Sequence, residues 1–365
     1  MKVRINGKIR IYQSLWWDQE KRLQVIDQRK LPFTFEIFTA KSVDDVCYAI
    51  KEMVVRGAPL IGATAAYGLV IQALSFTGKT FNQFKIDFKK ASENLSKTRP
   101  TAVDLFNVLS RMEKLLENEM SIDKAKKQII NQAEKIIDEI LNDCNKIGEF
   151  GNEIITKKRT NIMTICNAGA LATIDIGTAL APIRKAHEEG KKVTVFVPET
   201  RPRMQGGRLT AWELENEGIE HYIITDNAAG YYLSKKMIDF VIVGADRIAQ
   251  NGDTANKIGT YTLSLLCREN NIPFYVAAPL STFDLKKSSD SFIIEKRDGS
   301  EVQTVLSINN ISDISPKRRI VHNVKSKNLN PAFDITPANN ITGIITPKGI
   351  IKKPYEKSIK LLFEE

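Results

Sequence analysis

Cys166 stands where the apolar run "IMTIC" (162–166) gives way to Asn167, Ala168 and Gly169. A cysteine inside a strand is filler, whereas one at a strand's end, followed by turn formers, can face a ligand. A second titratable group occupies a similar place. In "FVIVGADRIAQNGDTANKIGT" (240–260) an apolar run delivers Asp246 to its tip, 80 positions after Cys166. The loop that follows leads to Asn256 and Lys257, which the pattern places at the opening of a helix. Free amides and a lysine at a helix start suit a phosphate.

Two further segments carry the same signal. "VVRGAPLIGA" (54–63) sets Arg56, Gly57 and Ala58 ahead of Pro59, and "KTRPTAVDL" (97–105) sets Arg99 before Pro100 and a new helix. Proline favours a first helical turn, so each arginine stands beside unpaired amides, which is an anion cradle. "PETRPRMQGGRLTAWEL" (198–214) adds Gln205 before Gly206 and Gly207, where backbone can approach a ligand closely. Arg201 and Arg203 in this loop are expected to pair with Glu199 or to meet another subunit. No G-x-G-x-x-G opens a strand–helix unit and no phosphate-binding lysine loop is present, so nicotinamide and nucleotide chemistry are not indicated.

The elements that must position these residues fall into two parts. Residues 1–40 hold short strand-like pieces, including an aromatic cluster of Tyr12, Trp16 and Trp17. From 42 to about 148 apolar residues recur at helical spacing. From about 160, short apolar runs ("IMTIC", "KVTVFV", "HYIITD", "FVIVGA", "PFYVAA", "GIITPKGII") alternate with helical segments. That alternation predicts a three-layer α/β domain with a largely parallel sheet, whose ligands sit beyond the strands' carboxyl ends. We therefore expect an N-terminal β element plus helical domain over 1–150 and a Rossmann-like domain over 151–365.

Composition narrows the class. At 365 residues, 42% hydrophobic and 26% charged, the chain reads as an ordinary globular protein of two domains. The formal charge of +10 is spread out, which argues for solvated lysines over a nucleic-acid face. No stretch reads as a membrane span, and the N-terminus lacks the apolar core of a signal peptide, so a cytoplasmic location is expected. With four cysteines, no C-x-x-C pair and three histidines, no metal site is expected. Cys47, Cys144 and Cys267 sit in helical patterns and read as inert.

Taken together, "VIDQRKLP" (25–32), "RGAPLIGATAAYG" (56–68), "TRPTAVDL", "TICNAGALAT" (164–173), "PETRPRMQGGRLTAWEL", "GADRIAQNGDTANKIGT", "STFDL" (281–285) and "NPAFDITP" (330–337) resemble the methylthioribose-1-phosphate isomerases. Their wider kin include ribose-1,5-bisphosphate isomerases and regulatory subunits of the exchange factor for translation initiation factor two. The resemblance implies an aldose–ketose isomerase of methionine salvage, acting on a sugar phosphate without metal or organic cofactor, as a homodimer. It implies catalytic roles for Cys166 and Asp246, and a phosphate cradle of Arg56, Gly57, Ala58, Arg99, Gln205, Asn256 and Lys257. Ribose-1,5-bisphosphate isomerase and a non-catalytic translation-factor subunit stay open as alternatives. Between 286 and 330 the chain departs from the family, keeping only an echo of an acidic "IEER" pattern in "IEKR" (294–297). The N-terminal aromatic cluster is expected to help cover the site.

Overall fold

The computed structural model describes residues 1–364 except 6, 101 and 310–315. A hairpin of β1 (Lys2–Ile5) and β2 (Lys8–Ile11) opens the chain, followed by a three-stranded antiparallel sheet of β3 (Leu15–Trp17), β4 (Leu23–Ile26) and β5 (Ile37–Ala40). Five helices come next: α1 (Val43–Lys51), α2 (Ala58–Ser75), α3 (Phe81–Ser96), α4 (Val103–Glu113) and α5 (Ile122–Asn152). Local chemistry sets several of their starts. Ser42 and Asp45 form a reciprocal capping box on α1, and Thr80 and Ser121 cap α3 and α5.

α2 is apolar around most of its circumference and is the hub of the helical core, with Leu60, Ala63, Ala66 and Leu69 fully buried. It has the length and hydropathy of a membrane span, contrary to the sequence reading. Its small residues explain this. Ala and Gly let neighbouring helices approach on several sides, so an all-apolar helix is buried in protein.

The second part is the α/β domain. Its seven-stranded sheet runs β18-β17-β12-β9-β6-β7-β8, where β6 is Arg159–Met163, β7 Lys192–Pro198, β8 Glu220–Ile224, β9 Phe240–Val243, β12 Phe274–Ala277, β17 Gly343–Thr346 and β18 Gly349–Ile351. All but β18 are parallel to their neighbours. The end of α5, with α6 (Leu180–Glu188) and α7 (Ala211–Glu217), covers one face; α8 (Ala229–Ser234), α9 (Thr260–Glu269) and α11 (Tyr355–Glu364) cover the other. Two strand readings change. "GIITPKGII" is a hairpin, closed by Thr346 opposite Gly349, rather than one strand. "HYIITD" is an edge strand with Tyr222 and Ile223 exposed, because no strand pairs beyond it among the described residues.

A smaller sheet of four strands, ordered β13-β10-β11-β16, projects from the strands' carboxyl ends; these are Phe283–Asp284, Arg247–Ala249, Thr254–Lys257 and Phe333–Thr336. A short helix α10 (Ser300–Gln303) precedes the remaining hairpin, β14 (Thr304–Ser307) with β15 (Lys317–Ile320). The 150/151 division falls inside the last turn of α5, whose Ile147 already belongs to the core of the sheet.

Candidate active site

β6 is flanked by β7 on one side and β9 on the other, so chain connections leave this point in opposite directions. Crevices at such switch points are where open α/β sheets bind ligands. Cys166 follows β6 and Asp246 follows β9, and the two strands are paired with Met163 opposite Val241. Both side chains line one cavity of about 140 Å³. The seven other residues singled out from the sequence, Arg56, Gly57, Ala58, Arg99, Gln205, Asn256 and Lys257, line the same cavity.

Cys166 is held in the left-handed region at φ 61°, an uncommon conformation for a residue with a Cβ. The surroundings over-determine it. Its amide donates to Thr200 Oγ1 at 2.8 Å and its carbonyl accepts from Thr210 Oγ1 at 2.6 Å. Asn167, only a turn former in the sequence reading, links three elements. Its Oδ1 and carbonyl accept from Arg56, each at 2.5 Å, and its Nδ2 donates to Glu213 Oε1 at 2.9 Å. Glu213 is fully buried; it accepts from the amides of Ala170 and Leu171 and pairs with Arg184 at 2.9 Å. Gly169 has room for Glu213 only because it lacks a Cβ, which would lie 2.3 Å from Oε2.

The helix start at α2 is as anticipated. Gly57 precedes it at φ 101°, where an added Cβ would meet the Ala172 carbonyl oxygen at 2.4 Å, and no side chain caps the first turn. The second expected start lies further along: α4 begins at Val103 with Ala102 as its cap, so Arg99 and Pro100 precede its first turn rather than open it. The third expected helix start is corrected. Asn256 and Lys257 end β11 and do not open a helix, because Thr254–Lys257 pairs in register with Phe333–Thr336. α9 begins at Thr260, and Asp334 accepts from the amides of Gly259 and Tyr261, so those amides are already taken. Lys257 instead donates to the Ala332 carbonyl at 2.9 Å and lies 4.5 Å from the centre of the Phe333 ring. Gln205 is buried, and its Oε1 has no hydrogen-bond partner among the described residues.

Electrostatics follow from burial. Desolvation raises the Asp246 carboxyl above its ordinary value, with Lys257, Arg99 and Arg56 opposing and Glu295 adding to the rise. Desolvation likewise lowers the Lys257 ammonium, against the pull of Cys166 and Asp246.

The segment whose role the sequence left in doubt supplies part of the cavity wall: Phe292, Ile293, Ile294, Glu295 and Arg297 line it. The "IEKR" echo was the one signal for this. Glu295 accepts from Arg297 at 2.8 Å and pairs with Arg99 at 3.3 Å. Arg203 pairs with Glu301 at 2.7 Å, and Arg201 donates to the Val302 carbonyl at 2.6 Å, so both arginines hold this segment and neither bonds Glu199 among the described residues. No described residue of 1–40 lines the cavity. The aromatic cluster is spent elsewhere. Trp17 stacks on Tyr67, while Tyr12 and Trp16 pack with Leu171 and Leu209 behind the Cys166 loop. Ser14 and Gln28 buttress that loop by donating to the carbonyls of Ala170 and Leu171, each at 2.7 Å.

Residues 54–353 match the initiation factor 2 subunit family. A methylthioribose-1-phosphate isomerase of Thermotoga neapolitana is 51% identical over 93% of this chain and 94% of its own length. The chain belongs to the methylthioribose-1-phosphate isomerase family. The crystal structure of 5-methylthioribose 1-phosphate isomerase from Pyrococcus horikoshii OT3 superposes with a TM-score of 0.87 at 41% identity, covering 97% of this chain and 96% of that one. A structure described as translation initiation factor eIF-2B, subunit delta, from A. fulgidus matches with a TM-score of 0.83 at 40% identity, over 97% of this chain and 100% of that one. Among the described residues no group of three or more His, Cys, Asp or Glu could hold a metal ion.

Proposed function

We propose that this protein is an aldose–ketose isomerase converting S-methyl-5-thio-D-ribose 1-phosphate to S-methyl-5-thio-D-ribulose 1-phosphate, with Cys166 and Asp246 as its acid/base pair. The observation that carries the reading is a thiol and a carboxyl brought from adjacent parallel strands into one cation-lined cavity. Phosphate on the anomeric oxygen stops this sugar from opening as a free aldose does. Opening needs a proton at the ring oxygen, and isomerisation moves a hydrogen from C2 to C1. Desolvation raises this carboxyl's proton affinity, which suits a group that must give as well as take a proton.

The cavity's charges favour one phosphate over two. Arg56 and Lys257 make no ion pair among the described residues, whereas Arg99 is matched by Glu295, Arg203 and Arg297 by Glu301, and Arg247 by Asp284. Met53, Ile61, Phe292 and Ile293 supply apolar lining for a methylthio group. A role in methionine salvage, a cytoplasmic location and a homodimer accompany this reading.

The test is turnover of methylthioribose 1-phosphate by the purified protein with EDTA present. Cys166→Ser and Asp246→Asn are each expected to lower kcat by roughly 10²–10⁴-fold. Near wild-type kcat in either variant would remove that residue from the chemistry. Deuterium from heavy water at C1 of the product would mark a proton-transfer route and rule out a pure hydride shift. The eIF-2B description of the A. fulgidus relative favours a second reading, a non-catalytic translation-factor subunit. Absent turnover together with capture of an initiation factor would support it.

A further inference from the structure

We propose that Glu295 is a specificity-determining residue, a built-in counter-charge in the phosphate cradle that limits the cavity to a single phosphate. The inference rests on the isomerase reading above for its substrates.

Three observations place the carboxylate among the groups a phosphate would use. Glu295 lines the cavity together with Arg99, Lys257 and Arg297. It is paired with Arg297 at 2.8 Å and with Arg99 at 3.3 Å, with side-chain exposures of only 15–20% across the three residues. The Arg99 pair is long, and Arg99 Nε is buried without a hydrogen-bond partner among the described residues, so this guanidinium keeps donor capacity that an incoming anion can take up. Although burial raises the Glu295 carboxyl, Arg99, Arg297 and Lys257 together hold it below its ordinary value, so it stays an anion at neutral pH.

A fixed negative charge among these cations has a definite consequence. Together with Glu301 and Asp284 it leaves Arg56 and Lys257 as the cavity cations without an ion-pair partner among the described residues, enough for one phosphate dianion. A sugar bearing a second phosphate would place that group against a matched, partly buried charge system and meet like-charge repulsion.

The experiment compares wild type with Glu295→Gln, which keeps the shape and removes the charge. Binding of inorganic phosphate is measured by calorimetry, and kcat/KM is measured for methylthioribose 1-phosphate and ribose 1,5-bisphosphate. Loss of one repelling charge is expected to tighten phosphate binding about five- to tenfold. The kcat/KM ratio of bisphosphate to methylthio substrate should rise about tenfold or more. Unchanged or weaker phosphate binding, or an unchanged ratio, overturns the proposal. If Glu295→Gln does not fold, Glu295→Ala carries the same expectations. Phosphate binding needs no turnover, which separates the two ideas. Tighter binding by the variant of a wild type that cannot isomerise the sugar sinks the functional reading alone; normal turnover with unaltered phosphate affinity sinks only the role of Glu295.

Discussion

At the scale of single residues, the site is built from side chains whose local conformation or protonation is unfavourable and is held by neighbours. Cys166 is kept left-handed by two threonine hydroxyls, one of them on Thr200, itself at φ 62°. Such positions persist only where the surroundings over-determine them, and they cluster where function needs a fixed geometry. Asp104, just after the cavity-lining Ala102 and Val103, is a second instance. It is 4% exposed, and burial pushes its carboxyl up to about 6, with a hydrogen bond from Ser281 opposing the rise and Asp246 adding to it. A folded-state value above the unfolded 3.8 means that ionisation opposes folding: stability is highest below about 4 and falls as pH rises through 6. Asp104→Asn should therefore match wild type in melting temperature at low pH and exceed it at pH 8, by up to about 3 kcal/mol in stability. Melting curves across that range check it; a variant that loses stability as pH rises relative to wild type would contradict the assignment.

At the scale of elements, the segment from Ser289 through Gln303 is the part of the cavity wall that local pattern hid. Glu301 is its anchor. It is buried and accepts from Arg203 at 2.7 Å, from Arg297 at 2.6 and 2.9 Å and from Asn330 at 3.1 Å. Although burial raises this carboxyl, the bonds and charges of Arg297 and Arg203 pull it down to about 2. A depressed value contributes stability that is complete above 4.5 and is lost as pH falls from there toward 2. Glu301→Gln should cost about 2–3 kcal/mol at pH 7, with the difference from wild type shrinking below pH 4.5. Because the same bonds hold Phe292–Arg297 against the cavity, KM for the sugar phosphate should rise more than kcat falls. Equal melting temperatures at pH 7 and pH 3 in both proteins would remove Glu301 from this role.

At the scale of the whole molecule, the parallel sheet does the assembling. Its reversal of direction at β6 and β9 brings residues 80 positions apart to one crevice, while the helical domain contributes Arg56 and Arg99 from the loops before α2 and α4. We expect the protein in solution to sediment near twice its 41.1 kDa chain mass and to keep full activity in EDTA. Sedimentation at the monomer mass, or a chelator-sensitive rate, would count against the dimer and the metal-free mechanism respectively.

Much of this architecture was legible in the residues themselves. Period-3.6 apolar patterning marks α1 to α5, and short apolar runs separated by helical stretches mark the parallel strands, because burial leaves its trace on each element separately. The "RGAP" and "TRP" arginines and the residues at strand tips could be named for the same reason: proline, glycine and strand ends are local signals. Pairing is not local. That Asn256 and Lys257 belong to a strand was decided by Phe333–Thr336, more than 70 residues away, and that "GIITPKGII" folds back on itself was decided by the turn at Gly349. That Asn167 joins Arg56 to Glu213, and that a polar segment near residue 295 walls the cavity, depended on which elements meet in space. Local chemistry thus set the elements and the candidate groups, while long-range packing and charge pairing, which no window of sequence contains, decided which of those groups share a cavity.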